Sequence, residues 1–215
     1  MRFEDMSMTA KNIQRYGSLI RLKPEFEERY IILHKYTFPG VLKRIHDSNI
    51  RNYSIFLREG ALFSFFEYVG DDFQRDTELI AVDATTRDWW KLTDPMQIPL
   101  ETRKKGEWWA SMPELLHFGA KRRPSSEAKR FAYVAYVGIS DTVIKAPESY
   151  RDLAVQNFSL FTKDRRTYAY LEYAGSRLES DMSEWESGLA HILTALSPQA
   201  SCAEWHALRE VFHTD

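Results

Sequence analysis

The sequence predicts an α+β protein of two βαββαβ units, ferredoxin-like in element order, packed sheet to sheet as an intramolecular dimeric α+β barrel. Three observations predict it. First, residues 52–70, NYSIFLREGALFSFFEYVG, and residues 157–175, NFSLFTKDRRTYAYLEYAG, align without a gap. Asn, Ser, Phe, Glu, Tyr and Gly coincide, and Tyr/Phe, Ile/Leu, Arg/Lys and Glu/Asp replace one another; internal repetition of this kind governs the reading of a whole chain. Second, strand and helix signals surround each copy in a similar order. Third, a four-stranded sheet with both helices on one face leaves its other face apolar. Two such sheets bury that face against each other, and a single chain makes the pairing intramolecular.

Residues 1–16 are polar and aperiodic and are expected to form a tail. Residues 17–22 (GSLIRL) suit a short strand, and Lys23-Pro24 opens a helix, because proline is suited to a first helical turn. Phe26, Tyr30 and Leu33 recur at helical spacing, and Pro39 starts a second helix through Val41, Leu42 and Ile45. Residues 52–58 and 61–69 are aromatic and aliphatic strand segments around a Glu59-Gly60 hairpin turn. A helical stretch through Trp89-Trp90, a polar connection at 94–112 and a strand at 114–118 complete the first unit, residues 17–118. Residues 119–129 (GAKRRPSSEAK) are a polar linker, its basic run Lys121-Arg122-Arg123 suiting a solvated segment. Residues 130–215 form a second, degenerate unit, with strands at 130–138 and 209–213 and a helix at 182–196 around the repeated hairpin.

Composition narrows the function classes. Of 215 residues, 44% are hydrophobic and 28% charged, the balance of a soluble globular protein. The formal net charge of -2, with Lys and Arg scattered, argues against a nucleic-acid partner, since phosphate binding asks for clustered positive charge. The lone Cys202 leaves no disulfide framework and no thiolate cluster for a metal. No apolar run has the length of a membrane span and Met1–Asp5 lacks the apolar stretch of a signal peptide, so a cytoplasmic protein without a membrane partner is expected.

Chemistry concentrates in the first unit. Tyr30 and His34 stand at i and i+4 and project from one helix face. Histidine ordinarily titrates near neutral pH, which suits a general acid. Tyr53 could supply a phenol donor and acceptor, and Trp89 or Trp90 an apolar ring face. The same spacing also fits an ordinary helix histidine among core aromatics.

Taken together, Tyr30-x-x-x-His34, Phe38-Pro39, Asn52-Tyr53-Ser54-Ile55-Phe56-Leu57, Leu62-Phe63-x-x-x-Glu67, Trp89-Trp90 and the closing apolar strand resemble the L-rhamnose mutarotase family. The resemblance runs from about residue 17 to 118, one whole family subunit. It implies a ferredoxin-like fold that pairs through its sheets, and cofactor-free, metal-free interconversion of the α and β anomers of a deoxysugar. It implies His34 as proton donor, with Tyr30, Tyr53, Trp89 and Trp90 holding the sugar. Ring opening needs a proton for the ring oxygen and a base for the anomeric hydroxyl. Glu67, Glu27 or a bound water are the candidates for that base.

The second unit departs from the pattern. Phe158 stands where Tyr53 does, no histidine occurs between its first strand and Asn157, and the Trp pair is reduced to Glu204-Trp205. His191 and His206 suit surface positions better than a replacement acid. This unit is expected to be a structural partner, giving a monomer with an internal pseudo-dimer and leaving further oligomerisation open. Because the fold also serves cofactor-free monooxygenases and non-catalytic binders, a sugar or small-ligand binding protein is the alternative function.

Overall fold

The structure is a computed structural model that describes residues 13–119, 128–138, 155–174 and 204–215. In chain order the elements are β1 (Gln14–Leu22), a 3₁₀ turn (Pro24–Phe26), α1 (Glu27–Lys35), α2 (Pro39–Asp47), β2 (Ile50–Arg58) and β3 (Ala61–Tyr68). Then follow α3 (Phe73–Val82), α4 (Ala84–Thr93), a second 3₁₀ turn (Asp94–Met96), β4 (Gln97–Ile98), β5 (Ala110–Met112) and β6 (Glu114–Gly119). The second half contributes β7 (Lys129–Ala135), β8 (Val155–Lys163), β9 (Arg166–Tyr173) and β10 (Trp205–Thr214).

The strands run antiparallel in the order β4-β1-β3-β2-β10-β7-β9-β8-β6, with β5 on β1. Since β5 runs into β6, this α+β sheet curls until its far end meets its beginning. Pro113, which has no N–H for a ladder, marks the point where that segment leaves β1 for β8. The other closing strand behaves alike: Trp205–Leu208 pair with β7, and Arg209–Thr214 pair with β2 across an irregularity between Glu210 and Phe212. The expected order put each closing strand inside its own unit. In the structure each strand starts beside its own half and ends beside the other, so neither half has a free edge there.

Alternation along the strands makes two buried faces. Leu19, Phe56, Phe63, Phe65, Phe161, Tyr168 and Tyr170 fill the inside of the curl. Phe65 stacks on Tyr170 at 3.7 Å, and Phe63 on Tyr168 at 5.1 Å. Burying each such ring contributes roughly 2–3 kcal/mol relative to leaving it in water. Gly17 gives Phe161 its place, because a Cβ there would lie 2.6 Å from the ring. The opposite face of the first half, with Ile20, Ile55, Leu57 and Leu62, packs against Tyr30, Leu33 and Leu42 of the helices.

Matching features recur in the two halves. Both hairpins turn through positive-φ residues, Glu59-Gly60 and Asp164-Arg165. Ser54 Oγ lies 2.9 Å from His213 Nδ1, and Ser159 Oγ lies 3.0 Å from His117 Nδ1. Asn52 donates to Glu172, while Asn157 donates to Glu67 at 3.0 Å.

Three local expectations are corrected. The tail ends earlier than residue 16, because Gln14–Tyr16 pair with Phe66–Tyr68 and Tyr16 stacks on Phe73 at 4.3 Å. The connection at 94–112 contains β4 and β5, which at two and three residues are too short for an alternating pattern to mark them. Of the linker, Gly119 closes β6 and Lys129 opens β7, and the residues between 119 and 128 lie outside the described residues. The helix expected at 182–196, His191 and Cys202 lie outside them too. No helix of the described residues is long and apolar enough to cross a membrane.

Candidate active site

On the helix-bearing face of β1, β2 and β3, the four helices stand off the sheet far enough to leave two adjoining cavities. One, of about 380 Å³, is lined mainly by apolar groups including Val41, Ile45, Ile50, Phe66 and Ile80. The other, of about 330 Å³, is more polar and includes Thr93, Asp94, Gln97 and Trp108. They share His34, Tyr53, Ile55, Trp89, Trp90 and Trp109. The residues singled out from sequence therefore meet: Tyr30, His34, Tyr53, Trp89 and Trp90 all line the polar cavity.

His34 sits in the last turn of α1 and is 8% exposed. Its Nδ1 lies 2.9 Å from the backbone oxygen of Tyr30. A carbonyl oxygen can only accept, so Nδ1 carries the proton and Nε2 keeps its lone pair. Burial pushes the imidazole pKa down to about 4, opposed by the bond to Tyr30. The ring lies 4.0 Å from that of Tyr30, and Trp89 and Phe212 meet it edge-on at 5.2 and 5.6 Å. A neutral, oriented imidazole can accept a proton at Nε2 before it donates one. Dry aromatic walls disfavour the cation, so the neutral imidazole is the favoured form.

Tyr30 is held through its hydroxyl. Trp108 Nε1 donates to Gln97 Oε1 at 2.8 Å, and Gln97 Nε2 donates to the Tyr30 hydroxyl at 3.3 Å. Indole nitrogen is only a donor, so Trp108 fixes which end of the Gln97 amide faces Tyr30. With Gln97 occupying an acceptor position, the phenol proton is free to point into the cavity. Burial raises the Tyr30 pKa well above its usual value, with Tyr53 and Asp94 adding to the effect, so it stays a donor. Burial likewise pushes Tyr53 up to about 12, and among the described residues no group hydrogen-bonds to its hydroxyl.

The candidate bases fare differently. Glu67 faces the inside of the curl, where it accepts from Asn157 and lies 3.6 Å from Arg15; the sheet separates it from His34. Glu27 is exposed at the start of α1 and does not line either cavity. The carboxylate that does line the cavity is Asp94. It was missed, with Gln97, Trp108 and Trp109, because the connection holding them has no periodicity from which to read a face. Trp90 followed by Asp94 at helical spacing was the available signal.

The second half contributes Phe212, whose ring meets Tyr53 edge-on at 5.5 Å. Its own Phe158 is fully buried against Phe118 at 4.8 Å. His206 is partly buried and packs on Tyr136 at 5.3 Å. Among the described residues, no group of three or more His, Cys, Asp and Glu side chains is placed to hold a metal ion.

Comparison with known proteins bears on the fold and the family separately. The whole chain is similar in fold to a proposed monooxygenase from Fusobacterium nucleatum subsp. nucleatum, with TM-score 0.54, 10% identity, and 97% of this chain and 96% of that one covered. A proposed monooxygenase from Lactobacillus acidophilus NCFM is similar at TM-score 0.47 and 8% identity, over 93% of this chain and 95% of that one. An anthrone oxidase-like protein is similar at TM-score 0.47 and 6% identity, over 96% and 94%. At such identities the likeness concerns the fold alone. No curated protein matches the sequence. The model of the family described as L-rhamnose mutarotase matches residues 15–118. That segment carries every residue lining the two cavities except Phe212, and the match places residues 15–118 of the chain in the L-rhamnose mutarotase family.

Proposed function

We propose that this protein is a cofactor-independent mutarotase that interconverts the α and β anomers of a deoxyhexose such as L-rhamnose. The observation that carries the reading is the convergence of Tyr30, His34, Tyr53, Trp89 and Trp90 on one cavity of the family-matched segment. A pyranose fits the donors and faces present. Tyr30 and Tyr53 offer hydroxyls to the ring substituents, and the Trp rings offer apolar surface to its C–H face. His34 Nε2 moves the proton. The apolar cavity next door can receive the methyl group that distinguishes a 6-deoxysugar.

On this reading the chain is a tandem duplication in which only the first unit, residues 17–118, turns over. Residues 119–129 join it to the second unit, residues 130–215, which acts as the closing partner, as the repeated hairpins and matched Ser–His pairs support. The protein would then act in the cytoplasm as a monomer with an internal pseudo-dimer. The test is exchange NMR across a panel of L-rhamnose, L-fucose and non-deoxy sugars. Protein-dependent exchange between anomeric signals is expected for at least one deoxysugar. Saturation transfer to a sugar without exchange would instead identify a non-catalytic binding protein.

A further inference from the structure

Resting on the mutarotase reading, we propose that Asp94 is the catalytic partner of His34, and that the ring opens by passing one proton between the Asp94 carboxyl and His34 Nε2. Asp94 follows α4 directly and opens the 3₁₀ turn behind Trp89 and Trp90. The turn is clamped by Lys23, whose backbone N–H donates to Met96 at 2.9 Å and whose Nζ donates to the Pro95 carbonyl at 2.7 Å. The Asp94 side chain is half-buried in the wall that also holds Tyr30, His34 and Tyr53. Among the described residues it accepts no hydrogen bond and forms no ion pair, unlike the capping carboxylates Asp72 and Asp83. The charged groups around it are Lys23, and Arg87 and Lys91 of α4, which line an outer recess with it. Tyr30 is the titratable group near enough to feel its charge. Burial raises the Asp94 pKa, so this carboxyl is more basic than a solvated one. A half-buried carboxyl with no hydrogen-bond partner among the described residues, at the wall of the cavity that holds His34, is suited to proton transfer.

The step balances. His34 begins neutral, with Nδ1–H tied to Tyr30, and Asp94 begins protonated. Nε2 takes the proton of the anomeric hydroxyl, the C1–O bond to the ring oxygen breaks, and the Asp94 proton goes to that oxygen. An open-chain aldehyde, an imidazolium and a carboxylate result, with no net proton gained or lost. Rotation about C1–C2 offers the other carbonyl face. The hydroxyl then attacks, returns its proton to Asp94 and the carbonyl oxygen takes the Nε2 proton. The pair is restored and the other anomer leaves. The productive state holds one proton between two weakly basic groups, so its population grows as pH falls from 8 towards 5.

The experiment compares the full-length parent with Asp94→Asn, which preserves shape and removes the titrating oxygen. Exchange NMR on L-rhamnose gives the rate from pH 5 to pH 8, corrected for spontaneous mutarotation, and saturation-transfer titration gives the dissociation constant. The expected result is a fall in exchange of about 100-fold or more in Asp94→Asn. The dissociation constant should change less than about threefold, and the parent's rise towards acid pH should be lost. Exchange within about threefold of the parent, or exchange and affinity falling in parallel, overturns the role of Asp94 while leaving the mutarotase reading in place. A parent that binds sugar and exchanges nothing overturns both.

Discussion

His34 donates its Nδ1 proton to the backbone oxygen of Tyr30 at 2.9 Å, the residue one helical turn before it. One bond therefore fixes the tautomer, the ring's rotation and the identity of the nitrogen that meets a ligand.

The same burial makes His34 a pH-dependent element of stability. Its pKa near 4 in the folded chain lies below the value near 6.5 expected once unfolded. Between these values the unfolded chain binds more protons, so stability is fully present above pH 6.5 and is lost as pH falls towards 4. The loss amounts to about 3 kcal/mol at the acid end. His117, also held near 4 by burial, adds to it. Urea midpoints at pH 7.5 and 4.5 should diverge less in His34→Gln than in the parent; an equal divergence would show that His34 titrates normally.

His34→Ala and Tyr53→Phe should separate rate from affinity. Removing the proton-transfer group should lower anomer exchange by about 100- to 10,000-fold with a smaller effect on sugar binding. Losing the Tyr53 hydroxyl should cost about 1 kcal/mol of binding and lower turnover with it. The Phe ring should be accommodated, as Phe158 occupies the matching strand position fully buried. The ratio of the two effects, from exchange NMR and saturation transfer on both variants, is the diagnostic; unaltered exchange in His34→Ala would remove it from the mechanism.

Phe212→Ala should damage both fold and site. Truncating a buried phenylalanine costs roughly 3–5 kcal/mol, and here it also removes the ring against His34 and Tyr53. Leu116 provides the control, since it pairs with Leu160 on β8 as Phe212 pairs with Ile55 on β2. Leu116→Ala should destabilise by roughly 2–5 kcal/mol and leave sugar affinity in the remaining folded protein unchanged. Denaturant unfolding and sugar titration on both variants measure the contrast.

Gly17→Ala should force the inner packing apart. The new methyl would meet Phe161 at 2.6 Å, and overpacking of this kind typically costs about 1–3 kcal/mol. Adding Phe161→Leu should recover part of that loss. A double-mutant cycle should therefore show favourable coupling of at least about 0.5 kcal/mol; additive losses would mean that β1 and β8 do not meet there.

Parts of this arrangement were readable in the residues and parts were not, for physical reasons. Tyr30 and His34 share a helix face because of their spacing alone, and the repeated hairpins announce themselves through aromatic strands around a turn. Glu67 could not be placed, because β3 is buried on both faces: Phe63 and Phe65 lie on one and Leu62 on the other. Alternation then has no polar side to mark. The destination of the closing strands was equally hidden, since Glu114–Phe118 and Arg209–His213 suit either half as a partner. Asp94, Gln97 and Trp108 come together only through the turn that Lys23 clamps.

The exchange of closing strands makes the cavity a late product of folding. Strand β2 carries Tyr53, yet its neighbour is β10, and that ladder brings Phe212 against Tyr53 and His34. On the ribosome, α1 and the β2–β3 hairpin emerge well before β10 is synthesised, so a nascent chain holds His34 against an unfinished wall. In refolding, the pairing of β2 with β10 closes one of the longest loops in the chain, and contacts of such sequence separation form slowly. The His34 environment should therefore mature with the slowest kinetic phase, and a proton-transfer group would be set in its dry surroundings only once both ends of the barrel are in place.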